Sequence, residues 1–148
     1  MVRVKVAFYK GKGNFIDWCI RFWTRSIYSH VEMIIITEST GDVCLVSSSG
    51  RDGGVRSKRI KADHFNKSNW TMIDVSKELL IEQLRPFYVD RMGLQYDFKG
   101  IFLSQFLPLK RHSKDKYFCS EFCAEALGFS QPHTYSPQGL YTALQQRG

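Results

Sequence analysis

Residues 117–128, Tyr-Phe-Cys-Ser-Glu-Phe-Cys-Ala-Glu-Ala-Leu-Gly, constrain this chain more than any other stretch. Phe118, Phe122 and Ala126 recur at helical spacing, with Cys123 and Leu127 beside them. That pattern predicts a helix of about three turns with one face in a core. Gly128 predicts its end, because glycine readily takes the left-handed conformation that caps a helix. Cys119 falls in the first turn. A thiol there meets unpaired backbone N–H groups and the positive end of the helix dipole, and both favour the nucleophilic thiolate. Cys123 lies one turn later and deeper in the apolar stripe, where burial disfavours charge, so Cys119 is the candidate nucleophile. Glu121 reads as a helix-start residue that complements the dipole.

A thiolate of this kind needs a base, and residues 28–37 offer one. The run is rich in Val, Ile and Met and ends before the polar Ser39-Thr40-Gly41-Asp42 turn, as a buried strand would. Side chains alternate along a strand, so Tyr28, His30 and Glu32 are expected on one face and Val31, Met33 and Ile35 on the other. A histidine and a carboxylate on an otherwise apolar strand require a partner. His30 is expected to take the proton of Cys119. Backbone N–H groups at the helix start, that of Cys119 included, are candidate oxyanion donors. Glu32 is a candidate to orient the ring; strand geometry puts it about 6–7 Å along the chain, within reach of one rotamer.

The other elements give an α+β reading in which an antiparallel sheet packs against helices. Strands are expected at 2–9, 43–49 and 70–75. Asn14 is placed to cap a helix over 15–25, whose stripe of Phe15, Cys19, Phe22 and Trp23 is read as core and not as a membrane anchor. Ser76 is placed to cap a helix over 77–92, which Pro86 should kink or interrupt and Gly93 should end. A helix over 98–107 should stop before Pro108, with Asp97 as its cap. Ser136 and Pro137 open the last helix. The glycine-rich turn at 50–54 lacks the spacing and the Lys-Ser/Thr ending of a phosphate loop.

At 148 residues the chain is expected to form a single domain, 1–148. The alternating apolar and basic N-terminus reads as a strand and not a signal peptide, which implies a cytoplasmic protein. Reduced cysteines suit that compartment. No C-x-x-C pair is present, so no metal is expected, and no cofactor motif appears. The net charge of +7 concentrates in 51–61 and 110–116. Those clusters are either solvated loops or an attraction to an anionic envelope surface. Nucleic acid is not the expected partner, because no binding motif is present and the aromatics do not interleave with the basic clusters. Phe102, Phe106 and Tyr117 are the aromatics expected beside the groove.

In their order, several segments resemble the circularly permuted branch of the NlpC/P60 papain-like cysteine hydrolases. Ser29-His30-Val31-Glu32-Met33 is similar to that family's histidine strand. Ser47-Ser48-Ser49 with Gly53-Gly54-Val55 resembles its second strand and the turn after it. Tyr96-Asp97-Phe98 resembles a Tyr-Asp pair that precedes a helix. Tyr117-Phe118-Cys119-Ser120-Glu121-Phe122 resembles the nucleophile motif, and Ser136-Pro137-Gln138-Gly139-Leu140 a late helix start. These segments span nearly the whole chain. The resemblance implies a permuted papain-like fold and a cysteine peptidase or amidase cleaving a cell-wall peptide or isopeptide. It adds Ser48 as a second candidate to orient His30, and Tyr96 beside Tyr28 as a site-lining residue. Relatives that act on lipid keep an acyltransferase or thioesterase open, and a non-catalytic binding protein would use the same fold. The small form suits a viral protein in an infected bacterial host. The oligomeric state is left open.

Overall fold

The computed structural model describes residues 1–13, 15–49, 53–65, 67–75, 78–96 and 116–147, apart from the side chains at 16, 23, 24, 78–81, 95, 96, 116 and 117. The expected caps Asn14 and Ser76, Asp97, the helix over 98–107 with Phe102 and Phe106, residues 110–115 and the Tyr117 side chain lie outside the described residues.

Five antiparallel strands form the body of the sheet: β1 (Val2–Tyr9), β2 (His30–Thr37), β3 (Asp42–Ser49), β4 (Gly54–Lys61) and β5 (Trp70–Asp74). Two two-residue strands, β6 (Gln95–Tyr96) and β7 (Lys116–Tyr117), extend it to the order β5-β1-β2-β3-β4-β6-β7. β6 pairs with β4 through Gly54–Gln95, and β7 lies parallel to β6. The α-helices are α1 (Phe15–Thr24), α2 (Glu78–Arg91), α3 (Cys119–Ala126) and α4 (Pro137–Arg147), with short 3-10 turns at Ala62–His64, Lys67–Asn69 and Pro132–Thr134.

Period-two burial explains the sheet. Val4, Val6 and Phe8 of β1, Val31 and Met33 of β2, Val46 of β3 and Val55 of β4 share one face. They pack against Leu84 of α2, Phe122 and Cys123 of α3, and Leu140 and Leu144 of α4. The opposite face carries a smaller cluster of Ala7, Ile34, Val43 and Leu45, joined by Phe65, Trp70 and Met72. The mixed α+β architecture expected from the sequence is the one observed.

Local signals end the helices as their chemistry requires. Gly128 stands at φ 76° after α3. Its N–H bonds the Glu125 carbonyl at 3.0 Å, while Phe129 N–H bonds that of Ala124 at 3.0 Å, which is the Schellman pattern. Ser136 Oγ accepts the Gly139 N–H at 3.0 Å and caps α4 ahead of Pro137.

Three expectations are corrected. Residues 54–61 form β4, paired with β3 from Ser49–Gly54 to Asp42–Lys61, where a solvated basic loop was one reading. Ser57, Lys58 and Arg59 are exposed there, so charge masks the strand pattern. Pro86 does not interrupt α2, which runs through it. Pro86 and Glu82 are both exposed, so water can satisfy the carbonyl that proline leaves without a donor. The stripe on α1 is not core at Phe15 and Phe22, which are 75% and 64% exposed; Cys19 is half-buried, and the Trp23 side chain lies outside the described residues. Trp18, beside the stripe, is 56% exposed, whereas Asp17 and Ile20 are buried.

Candidate active site

Contacts from α2 and from Tyr135 hold α3. Phe118 and Phe122 are fully buried, each burial contributing roughly 1.5–3 kcal/mol. The ring of Phe122 lies 5.2 Å from that of Phe87 on α2. Arg91 of α2 donates to Glu125 at 2.9 Å, and Ser120 Oγ donates to the Tyr135 carbonyl at 2.6 Å. Cys119, at the helix start, is completely buried.

The β2–β3 ladder runs from Thr37–Asp42 only to Met33–Val46. Beyond it, Ser47 Oγ donates to the Val31 carbonyl at 2.6 Å, so a side chain takes the place of a backbone bond. α3 packs against both strands, and Cys123 is hydrogen-bonded to Ser47. Alternation places His30 on the sheet face opposite Val31 and Met33. His30 is hydrogen-bonded to Cys119. Its Nε2 donates to Glu32 Oε1 at 2.8 Å, and its side chain is 16% exposed against 3% for Glu32.

Glu32 is gripped from its other side by Arg56 of β4. Nη1 donates to Oε2 at 2.8 Å and Nη2 donates to Oε1, a bidentate pair. Cys119, His30, Glu32 and Arg56 thus form a continuous chain of polar contacts drawn from α3, β2 and β4. Arg56 has no place in the site as read from sequence. Two signals point to it: a buried carboxylate demands a cation, and Gly54-Val55-Arg56-Ser57 continues the alternation of a strand.

Electrostatics follow this order. Burial alone would lower the pKa of His30, but the charge and hydrogen bond of Cys119, then those of Glu32, push it up to about 10. Burial would raise that of Glu32, but hydrogen bonds from Arg56 and His30 hold it at about 2. Burial pushes the Cys123 thiol well above its ordinary range, with the neighbouring Cys119 adding to the shift. Both thiols on α3 are completely buried.

These shifts fix a pH dependence. Glu32, depressed from 4.5, contributes stability above pH 4.5 that is lost as pH falls towards 2. His30, raised from 6.5, contributes stability below pH 6.5 that is lost as pH rises through about 10. Thermal unfolding is expected to show a plateau between pH 4.5 and 6.5, with an alkaline decline that His30→Ala flattens. An unchanged alkaline limb in that variant would rule out the assignment.

No protein-family model matches the chain, and no curated protein matches it significantly.

The remaining expected residues are placed as follows. Ser48 is buried on β3, opposite Val55 in the register with β4. Tyr28 does not share the face of His30 and Glu32. It precedes the first residue of β2, so strand alternation does not reach it. Its ring packs against Phe8 at 5.4 Å and Tyr141 at 5.1 Å, and its hydroxyl donates to Thr71 at 3.2 Å. Tyr96 pairs by backbone with Tyr117 between β6 and β7, and its side chain lies outside the described residues. Among the described residues no cluster of His, Cys, Asp and Glu could hold a metal ion.

Proposed function

We propose that the protein is a cysteine hydrolase that cleaves an amide bond, in a cell-wall peptide or another isopeptide, with Cys119 as nucleophile and His30 as its acid–base partner. The observation that carries this reading is the position of His30, hydrogen-bonded to Cys119 on one side and to Glu32 on the other. Glu32 holds Nε2, which leaves Nδ1 as the nitrogen that exchanges a proton with sulfur. The thiolate attacks the carbonyl carbon, and the oxyanion forms beside the backbone N–H of Cys119. His30 gives its proton to the leaving amine as the C–N bond breaks. It then takes a proton from the water that hydrolyses the thioester. Glu32 orients the ring and stabilises the imidazolium, and Arg56 fixes Glu32.

The same reading includes the permuted papain-like fold. Its support is the chain order of histidine strand before nucleophile helix, over an antiparallel sheet. The identical thiol chemistry would serve an acyltransferase or thioesterase on lipid. The complete burial of Cys119 favours a third reading, a non-catalytic binding protein that keeps the fold.

Alkylation of Cys119 by iodoacetamide, followed across pH by mass spectrometry, tests the pair. His30→Ala is expected to slow the reaction near neutral pH by about 100-fold or more. An unchanged rate and pH profile would remove His30 as the partner. Panels of peptide amides, thioesters and phospholipids then separate the two hydrolytic readings.

A further inference from the structure

We propose that the outer face of α1 docks on an anionic lipid bilayer, with Phe15, Trp18 and Phe22 seated at the boundary between headgroups and acyl chains. The inference goes beyond the hydrolase reading and does not depend on Cys119 being a nucleophile.

Three large aromatic side chains at helical spacing stand in solvent, 75%, 56% and 64% exposed, and Ile27 just after the helix is 64% exposed. A soluble surface rarely leaves such a contiguous apolar ridge uncovered without a partner. The inner face of the same helix is fixed: Ser29 Oγ donates to Asp17 at 2.9 Å, and Arg21 donates to Ser29 Oγ at 3.2 Å and to the Gly11 carbonyl. The ridge is therefore held outward by a latched helix and is not a frayed end.

Charge selects the partner. Between residues 10 and 27 the basic side chains are Lys10, Lys12, Arg21 and Arg25, of which Lys10, Lys12 and Arg25 are exposed. The acidic side chain in that stretch, Asp17, is buried against Ser29. The solvent-facing charge around the ridge is thus positive at both ends of the helix. Aromatic rings flanked by lysine and arginine on a short helix suit an interfacial position on anionic lipid. Among the described residues no helix is long and apolar enough to cross a membrane, so α1 would lie in the interface.

A single-stranded nucleic acid fits less well. Trp18 lies between Phe15 and Phe22 along the helix and stacks on each, with centroids 6.0 and 5.4 Å apart and planes within 18° and 10°. Its faces are already taken, whereas a base-stacking platform needs them open. What the stack offers outward is a row of ring edges, which acyl chains can surround.

The test is co-sedimentation of the full chain with vesicles of phosphatidylglycerol and phosphatidylcholine in equal parts, beside pure phosphatidylcholine vesicles. The wild type is expected to bind the anionic vesicles, more weakly as salt rises. Phe15→Ser, Trp18→Ser and Phe22→Ser together should reduce binding at least tenfold without lowering the melting temperature, because all three side chains are exposed. Lys10→Ser, Lys12→Ser and Arg25→Ser together should weaken binding and flatten its salt dependence. Brominated acyl chains should quench Trp18 emission in the wild type, and Trp18→Phe should remove that quenching without touching the fold. Failure of the wild type to bind anionic vesicles, or unchanged binding by the aromatic variant, overturns the proposal. So would tighter binding to single-stranded DNA than to vesicles. A wild-type dimer that the aromatic variant converts to monomer, with no vesicle binding, would assign the ridge to a second copy of the chain instead.

Discussion

Replacing Cys119 by alanine is expected to abolish turnover, by about 10⁴-fold or more on any substrate the wild type hydrolyses, while the fold persists. Cys119 opens α3 and is hydrogen-bonded to His30. Cys123, one turn on, is buried against Ser47 with its thiol pushed up by desolvation. Cys123→Ala should therefore keep activity and lose about 1–2 kcal/mol of stability through a small cavity. The pair of variants separates chemistry from packing. Full turnover by Cys119→Ala would remove the central proposal, and loss in Cys123→Ala alone would transfer the nucleophile to the second thiol.

Glu32→Ala is expected to have the largest effect on stability, a loss of about 3–5 kcal/mol. The carboxylate sits between the His30 imidazole and the Arg56 guanidinium, and the side chains of Glu32 and Arg56 are 3% and 17% exposed. Deleting it leaves two half-buried cations facing one another with no anion between them. Glu32→Gln, which keeps one acceptor, should lose less. Denaturant unfolding of both variants supplies the comparison. Coupling is the sharper readout: in an Arg56→Ala background the penalty for Glu32→Ala should shrink markedly, because the orphaned guanidinium is gone. Equal penalties in both backgrounds would mean that the pair contributes no mutual stabilisation.

Much of this site is legible in the chain because two different periodicities expose it. Helical spacing from Phe118 to Ala126 puts Cys119 at a helix start, and alternation from His30 to Ile35 marks a histidine and a carboxylate out of place among apolar neighbours. Arg56 is not legible in that way. Five of the eight residues of its strand are lysine, arginine or serine, and its role depends on a register in which Arg56 faces Ser47 across β3 and β4. Register is a long-range property that propensity does not carry. Tyr28 is misplaced for the opposite reason: alternation is extended two residues beyond the first residue of the strand it describes. The stripe on α1 shows a third limit. Periodicity identifies an apolar face, but it does not say what that face will meet. On α1 the buried side is instead secured by Asp17 and Arg21, two polar residues that hold Ser29.

The contacting groups come from widely separated parts of the chain, with His30 and Glu32 early, Arg56 next and Cys119 far downstream. During synthesis the sulfur is the last of the four to leave the ribosome. Its helix then waits for Leu140 and Leu144 of α4 to close the core above it. A nascent chain accordingly carries the proposed base, and the carboxylate hydrogen-bonded to it, well before the proposed nucleophile is made. On the proposed mechanism, any product that stops short of residue 119 would be chemically silent, whatever part of the sheet it had managed to assemble.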